Sequence, residues 1–432
     1  MSGEILTLII VGIFILLLVL GAEIFASIVI ASAIGLFLFI GQPINQLAYS
    51  AFSTANSFTL TCLPLFIFMG ALFGTTGIIE DLIYGVDKLA RRLPGGVAAS
   101  VIVTNAVFGA MSGSQLAASA MFGKTCFGPM ERLGYDPKLA LGSIAVGGTI
   151  AGIIPPSFVF IIYGTWMDVS VARLFAAGLI PGIILTLLLL LLITVRVIIN
   201  PSLAPKAPES TTKEKLMALR KMLPFVGVIL IVLGTIFAGV MTPTESAALG
   251  AFISIILAFI YRKMSLTAFK GAMRSALTIT TMVLFIMFAA RALSVVFTYF
   301  GASEGVTTFF TGIPVGRYGI LAIICAIYII MGMFIDATSM LVLTLPLIGP
   351  LIGNLGFDYV WFGVIFAIIA CIGLITPPFG LTLFVVKGVI PKYDVMTVAR
   401  GSAPFLIPLF LMLVILAAFP ELTLWLPKLL YG

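Results

Sequence analysis

"GGTIAGIIPPSFVFIIYG", residues 147–164, sets two consecutive prolines inside an otherwise apolar, helix-like run. Proline has no N–H and its ring clashes with the carbonyl four residues back. Pro155 and Pro156 therefore break a helix here and release the carbonyls of Ala151 and Gly152, which then need a partner. Composition identifies the surroundings of that break. The 432 residues are 61% hydrophobic and 9% charged, against roughly 25% charged in a soluble domain. Apolar stretches long enough to cross about 30 Å of hydrocarbon recur, and alternating strands of barrel length do not. The expectation is an all-α polytopic membrane protein in a lipid bilayer. No basic n-region precedes the first apolar run, so no cleavable signal is expected.

Composition also excludes chemistry. The chain has no histidine, and Cys62, Cys126, Cys325 and Cys371 stand singly in apolar segments. That leaves neither a zinc set nor a Ser/His couple, and with a single deeply placed carboxylate no enzyme is expected. The net charge of +7 resides in short loops and does not signal nucleic acid. A channel would need polar residues along several spans, whereas here they cluster at two places.

Spans are expected near 5–40 (one helix or two, broken around Gly21 and Glu23), 56–78, 139–165, 174–199, 223–241, 244–261, 277–299, 360–385 and 402–420. In two further stretches, 98–127 and 319–353, a polar tip separates two arms of about 14 residues, each only ~21 Å long at 1.5 Å per residue. These are expected to be hairpins that enter and leave by one face. With 201–222 placed in the cytoplasm, seventeen Lys and Arg residues fall on inner loops, and only Arg173, Arg317 and Lys428 fall outside. That positive-inside bias supports the orientation and the two hairpins.

The double proline has a twin. "LGYD" at 133–136 precedes "IPPS" at 154–157, and "LGFD" at 355–358 precedes "TPPF" at 376–379. Leu133 and Leu355 lie 222 residues apart, as do Pro155 and Pro377, and the same offset sets Ser114 of one tip opposite Asp336 of the other. The orientation opens the first hairpin inward and the second outward, making an inverted repeat. Paired interrupted helices in inverted halves point to a carrier's binding site near the bilayer midplane. By the offset, Gly373 and Leu374 also lose their helical partners. A small hard cation is the cheapest partner for such oxygens at membrane depth.

Two Na⁺ sites are therefore expected, one per repeat. The first groups Ala110, Ser112 and Gly113 of the tip with Ala151, Gly152, Ile154 and Pro156. The second groups Gly332 and Asp336 with Gly373, Leu374, Thr376 and Phe379. Ser114, Ser157, Asp336 and Ser339 are expected at an anionic substrate, because the N-terminal end of a half-helix favours a carboxylate. Arg291, inside a span, either pairs the substrate's carboxylate or makes a structural pair. Thr242 and Glu245 spell a capping box, Glu80 and Asp81 face Lys88 and Arg91 as a surface pair, and Trp166 and Trp425 are interfacial anchors.

The expected organisation follows. Residues 1–97 are N-terminal scaffold helices, 98–200 the first repeat's transport part, 201–222 a cytoplasmic linker, 223–300 scaffold and arm helices, and 319–420 the second repeat's transport part. Four motifs in order, "GAMSGSQ", "GGTIAGIIPPS", "GVMTPTESAALGA" and "IGLITPPFGLTLFV", resemble the large membrane subunit of a tripartite ATP-independent periplasmic (TRAP) transporter over nearly the whole chain. The resemblance implies sodium-coupled uptake of an organic acid anion, of the sialic acid or C4-dicarboxylate class, across a bacterial inner membrane. It implies a periplasmic substrate-binding protein and a small membrane subunit as partners, the latter expected not to be fused to this chain. It further implies an elevator movement of hairpins and broken helices against a scaffold. Where the family pattern has glycine, Ala151 stands. The alternative is a stand-alone sodium/dicarboxylate symporter that needs no binding protein.

Overall fold

Asp136 and Asp358, the last letters of the twin LG(Y/F)D motifs, start the helices that form the centre of the molecule. Each carboxylate accepts the amide three residues on, from Leu139 and from Trp361, both at 3.0 Å, the bond expected of an N-cap. The glycines of the motifs, Gly134 and Gly356, sit at φ 79° and 71°, closing the preceding helices in the left-handed conformation that costs glycine nothing. The motif is thus a complete helix-to-helix corner, used twice.

The computed structural model describes residues 3–37, 43–205 and 210–432. Residues 38–40 of the first expected span and Lys206 of the linker lie outside the described residues. The first half comprises α1 (Gly3–Val19), α2 (Ile24–Gly35), α3 (Pro43–Ala55), α4 (Cys62–Thr75), α5 (Ile79–Ala90), α6 (Gly96–Ser112), α7 (Gln115–Arg132), α8 (Pro137–Thr149), α9 (Phe158–Met167) and α10 (Val171–Ile199). The second comprises α11 (Thr212–Phe237), α12 (Pro243–Ile260), α13 (Leu266–Tyr299), α14 (Ala302–Thr311), α15 (Arg317–Phe334), α16 (Ala337–Asn354), α17 (Tyr359–Ile375), α18 (Leu381–Val389), α19 (Val395–Ser402), α20 (Leu406–Ala418) and α21 (Glu421–Tyr431). There is no strand among the described residues, and seven helices are long and apolar enough to cross a membrane. The chain is an all-α polytopic membrane protein.

The 222-residue offset runs well beyond the motifs. It carries α7 onto α16 and the start of α8 onto the start of α17, and it lays α4 and α5 over part of α13 and over α14. Contacts between the halves are reciprocal: α7 packs on α18 while α16 packs on α9, and α2 packs on α13 while α12 packs on α4. From Leu139 to Thr149 every residue of α8 is buried, as is every residue of α17 from Val360 to Ile375. A helix apolar on all sides belongs in the core, and these two form it.

Several expectations change in detail. The 5–40 run is two helices, parted at Gly21 (φ 84°). The charged stretch taken as linker becomes helix at Thr212, because Thr211 and Glu214 form a capping box. The hairpin arms are 17 or 18 residues long, roughly 26 Å at 1.5 Å per residue, so they exceed the ~21 Å read from their apolar centres. α15 and α16 are each long and apolar enough to span, and length alone does not make them re-entrant. The expected box at Thr242 and Glu245 is present. Asp81 and Lys88, by contrast, reach across to Lys221 and Glu214 of α11, which clasps α5 to α11.

Candidate functional site at the hairpin tips

Both hairpins reverse in two residues. After α6, Gly113 turns left-handed at φ 62°, and Ser114 caps α7 by accepting the Ala117 amide at 3.4 Å. A Cβ on Gly113 would lie 2.6 Å from the Phe158 ring, so glycine is required there by space as well as by φ. After α15, Asp336 caps α16 through the amides of Thr338 (2.9 Å) and Ser339 (3.2 Å), and it also accepts the Ser339 hydroxyl. A carboxylate complements the positive end of a helix dipole, and this one sits where the first repeat has a neutral serine.

The broken helices run into these tips. α8 tightens through a 3-10 turn at Ile150–Gly152, passes the cis Pro155–Pro156 bond and resumes as α9. α17 passes the equivalent cis Pro377–Pro378 bond into α18. The released carbonyls are less bare than the sequence implies. Ser157 donates its hydroxyl to the Gly152 oxygen at 2.6 Å, and the Thr376 amide donates to the Gly373 oxygen at 3.1 Å. Each carbonyl keeps a second lone pair for a ligand. Thr376 turns its own hydroxyl back to Ile372, which leaves its oxygen able to accept. Ser112 supplies the clearest ligand atom: its residue is 6% exposed and its hydroxyl oxygen is buried with no hydrogen-bond partner. Oxygens of this kind suit a hard cation, and no cluster of His, Cys, Asp or Glu that could hold a transition metal occurs among the described residues.

The two tips share one cavity of about 260 Å³. Gly113 and Ser114 line it from one side and Asp336 and Leu374 from the other, while Met282 and Val283 of α13 close it. Ser157 and Ser339, expected at the substrate, are completely buried behind this wall. Ala110, Ala151, Gly152 and Ile154 are also buried under the first tip. In the second repeat, Phe334 and Phe379 are about half exposed and in ring contact at 4.9 Å. The glycine missing at 151 is supplied from the other side: a Cβ on Gly109 would lie 2.7 Å from the Ala151 Cα, just as one on Gly373 would lie 2.7 Å from the Gly332 Cα. Close backbone approach therefore survives in both repeats.

Sequence reasoning did not find Gln115. It follows Ser114, lines the same cavity, and donates its side-chain amide to the Thr149 carbonyl at 2.9 Å. The Cys371 thiol donates to the same carbonyl at 3.1 Å. The one readable sign was an amide side chain next to a tip serine. Arg291 stands apart from the tip cavity, donating to the Ser53 hydroxyl.

Residues 11–422 match the family described as "Tripartite ATP-independent periplasmic transporter, DctM component". The chain is 30% identical over 403 residues to the C4-dicarboxylate TRAP transporter large permease protein DctM of Pseudomonas aeruginosa, covering 93% of this chain and 94% of that one. It is 32% identical to the Vibrio cholerae protein of the same description, covering 90% and 89%. The sialic acid TRAP transporter permease protein SiaT of Haemophilus influenzae is also 32% identical, over 89% of this chain but only 62% of SiaT. Among solved structures, the YdaH transporter of Alcanivorax borkumensis superposes with a TM-score of 0.62 at 16% identity, covering 98% of each chain. The chain belongs to the DctM family and is the large permease component of a tripartite ATP-independent periplasmic transporter, a multi-pass protein of the inner membrane.

Proposed function

We propose that this permease takes up an organic acid anion by sodium-coupled secondary transport, receiving it from a periplasmic binding protein and working with a small membrane subunit. The observation that carries the reading is the shared cavity with Ser114 and Asp336 on its wall. Equivalent caps of two interrupted hairpins converge there, and convergent half-helix ends beside unwound carbonyls suit an anion and its coupling cations. One Na⁺ is assigned to Ser112 with the Ala110, Gly113, Ala151, Gly152, Ile154 and Pro156 backbone. The second is assigned to Asp336 and Thr376 with the Gly332, Gly373, Leu374 and Phe379 backbone. Relatives named for C4-dicarboxylates and for sialic acid support the reading that a carboxylate is the feature recognised here.

Reciprocal packing and the loop charges support inverted repeats, with hairpins and broken helices travelling as one body against α1–α5 and α11–α13. The test is uptake into proteoliposomes under an inward sodium gradient, with succinate and N-acetylneuraminate offered free or on a cognate binding protein. Uptake that needs both the gradient and the binding protein supports the proposal. Gradient-driven uptake by the membrane components alone would indicate a stand-alone symporter, and uptake indifferent to sodium would refute the coupling.

A further inference from the structure

We propose that Arg291 and the recess beside it form a second anion station, separate from the tip cavity, where a small organic carboxylate pauses on its way to the hairpin tips. The inference rests on the uptake reading above and adds a site to it. Arg291 lies in the α13 span, where a guanidinium demands a partner. Among the described residues no carboxylate forms an ion pair with it. One terminal nitrogen donates to Ser53, and the Nε is buried with nothing to receive it.

Two hollows meet at this side chain. The larger, about 520 Å³, is rimmed by hydroxyls that include Ser57, Thr59 and Ser170, with the exposed Asp168 at its edge. The smaller, about 310 Å³, is lined by Tyr49, Ser50, Trp166 and Ser294 and contains no acid. A positive fork surrounded by hydroxyl donors, in a hollow the size of a small-ligand pocket, selects a carboxylate. At the tips the orphan atoms are oxygens; here the orphan is an N–H.

The station is also in line with the tips. On α13, Val283 lines the tip cavity and Arg291 the recess; on α9, Phe158 lines the tip cavity and Trp166 the recess. Each pair is eight residues apart along a helix, about 12 Å at 1.5 Å per residue. Two helices that line both hollows therefore lead from one to the other over the same distance.

Trp166 reports on the recess directly. Trp361 is fully buried and Trp425 is exposed, so a Trp425→Phe background leaves Trp166 as the accessible indole. In that full chain in nanodiscs at low salt, iodide should quench Trp166 about threefold or more better than it does in R291Q, because a nearby fixed positive charge concentrates the anion. Neutral acrylamide should quench both equally. Succinate or N-acetylneuraminate should relieve iodide quenching in the parent but not in R291Q, and Arg291→Lys should retain part of the effect. Equal iodide quenching in parent and R291Q would overturn the station, as would failure of both organic anions to protect. A parallel change in acrylamide quenching would reduce Arg291 to a packing role. The assay uses no sodium gradient, so it fails or succeeds independently of the uptake experiment.

Discussion

The Cys371 thiol donates to the Thr149 carbonyl at 3.1 Å, and the two residues are 222 positions apart. Thr149 and Cys371 are therefore the same position of the two repeats, in contact with each other. A position touches its own equivalent only on a two-fold axis, the intramolecular counterpart of an isologous interface. On the inverted-repeat reading proposed above, that axis would pass between α8 and α17 beside the cavity that Ser114 and Asp336 both line.

Symmetry is broken on the axis itself. Gln115 reaches the Thr149 carbonyl, whereas its equivalent is Ala337, which has nothing to offer. An amide is a strong donor and a thiol a weak one. Gln115→Leu should therefore cost about 1–3 kcal/mol, the penalty for depriving a buried carbonyl of its main partner, and Cys371→Ala should cost less. Denaturant midpoints in detergent would measure both, and a larger loss for Cys371→Ala would contradict this ranking.

The motifs that were legible are those whose work is local. Prolines break a helix wherever they stand, and an Asp after a left-handed glycine caps the next helix, so Pro155, Pro377, Asp136 and Asp358 could be read without neighbours. Gln115 could not, because its function is a contact with a carbonyl 34 residues away. α5 and α14 also escaped: they occupy overlapping positions in the two repeats yet share no motif, IEDLIYGVDKLA against ASEGVTTFFT. The free state expected of Gly152 and Gly373 was misjudged for a similar reason. Ser157 and the Thr376 amide, both beyond the helix end, turn back to meet them.

Asp336 combines a cap with a charge, and the two can be separated. Asparagine caps a helix as well as aspartate does, whereas alanine costs about 0.5–2 kcal/mol. Asp336→Asn should fold with little loss of stability while its apparent sodium affinity in uptake falls on the order of tenfold, ~1.4 kcal/mol. Asp336→Ala should lose stability as well. An unchanged sodium titration in Asp336→Asn would remove the carboxylate from the ion site.

Ser112 tests the other site without transport. A ligand that binds only the folded protein stabilises it by about 2.7 kcal/mol at a hundred times its dissociation constant. Replacing KCl by NaCl should therefore raise the melting temperature of the purified chain. Ser112→Ala removes a buried hydroxyl with no protein partner, so it should leave the midpoint in KCl nearly unchanged and shrink the sodium-specific rise. A midpoint that collapses equally in both salts would assign Ser112 to packing.

The tips are not equally covered, and the proposed elevator movement between inverted repeats predicts the opposite state. In this conformation a Cβ on Gly70 of α4 would lie 2.5 Å from the Ser112 Cα, so α4 is pressed onto the first tip. The equivalents are Ala292, fully buried on α13, and Phe334, 53% exposed on the second tip. If the repeats exchange roles, as the proposed alternating access between inverted halves requires, Phe334 should come onto Ala292 and Ser112 should lift from Gly70. The native cysteines are all buried and should react little, so Ala292→Cys with Phe334→Cys should cross-link through a short bifunctional maleimide once sodium and substrate let the body move. Gly70→Ala, which cannot fit beneath Ser112 without a shift, should raise that yield even without substrate. A pair that never links, under any gradient or in the Gly70→Ala background, would rule out the exchange.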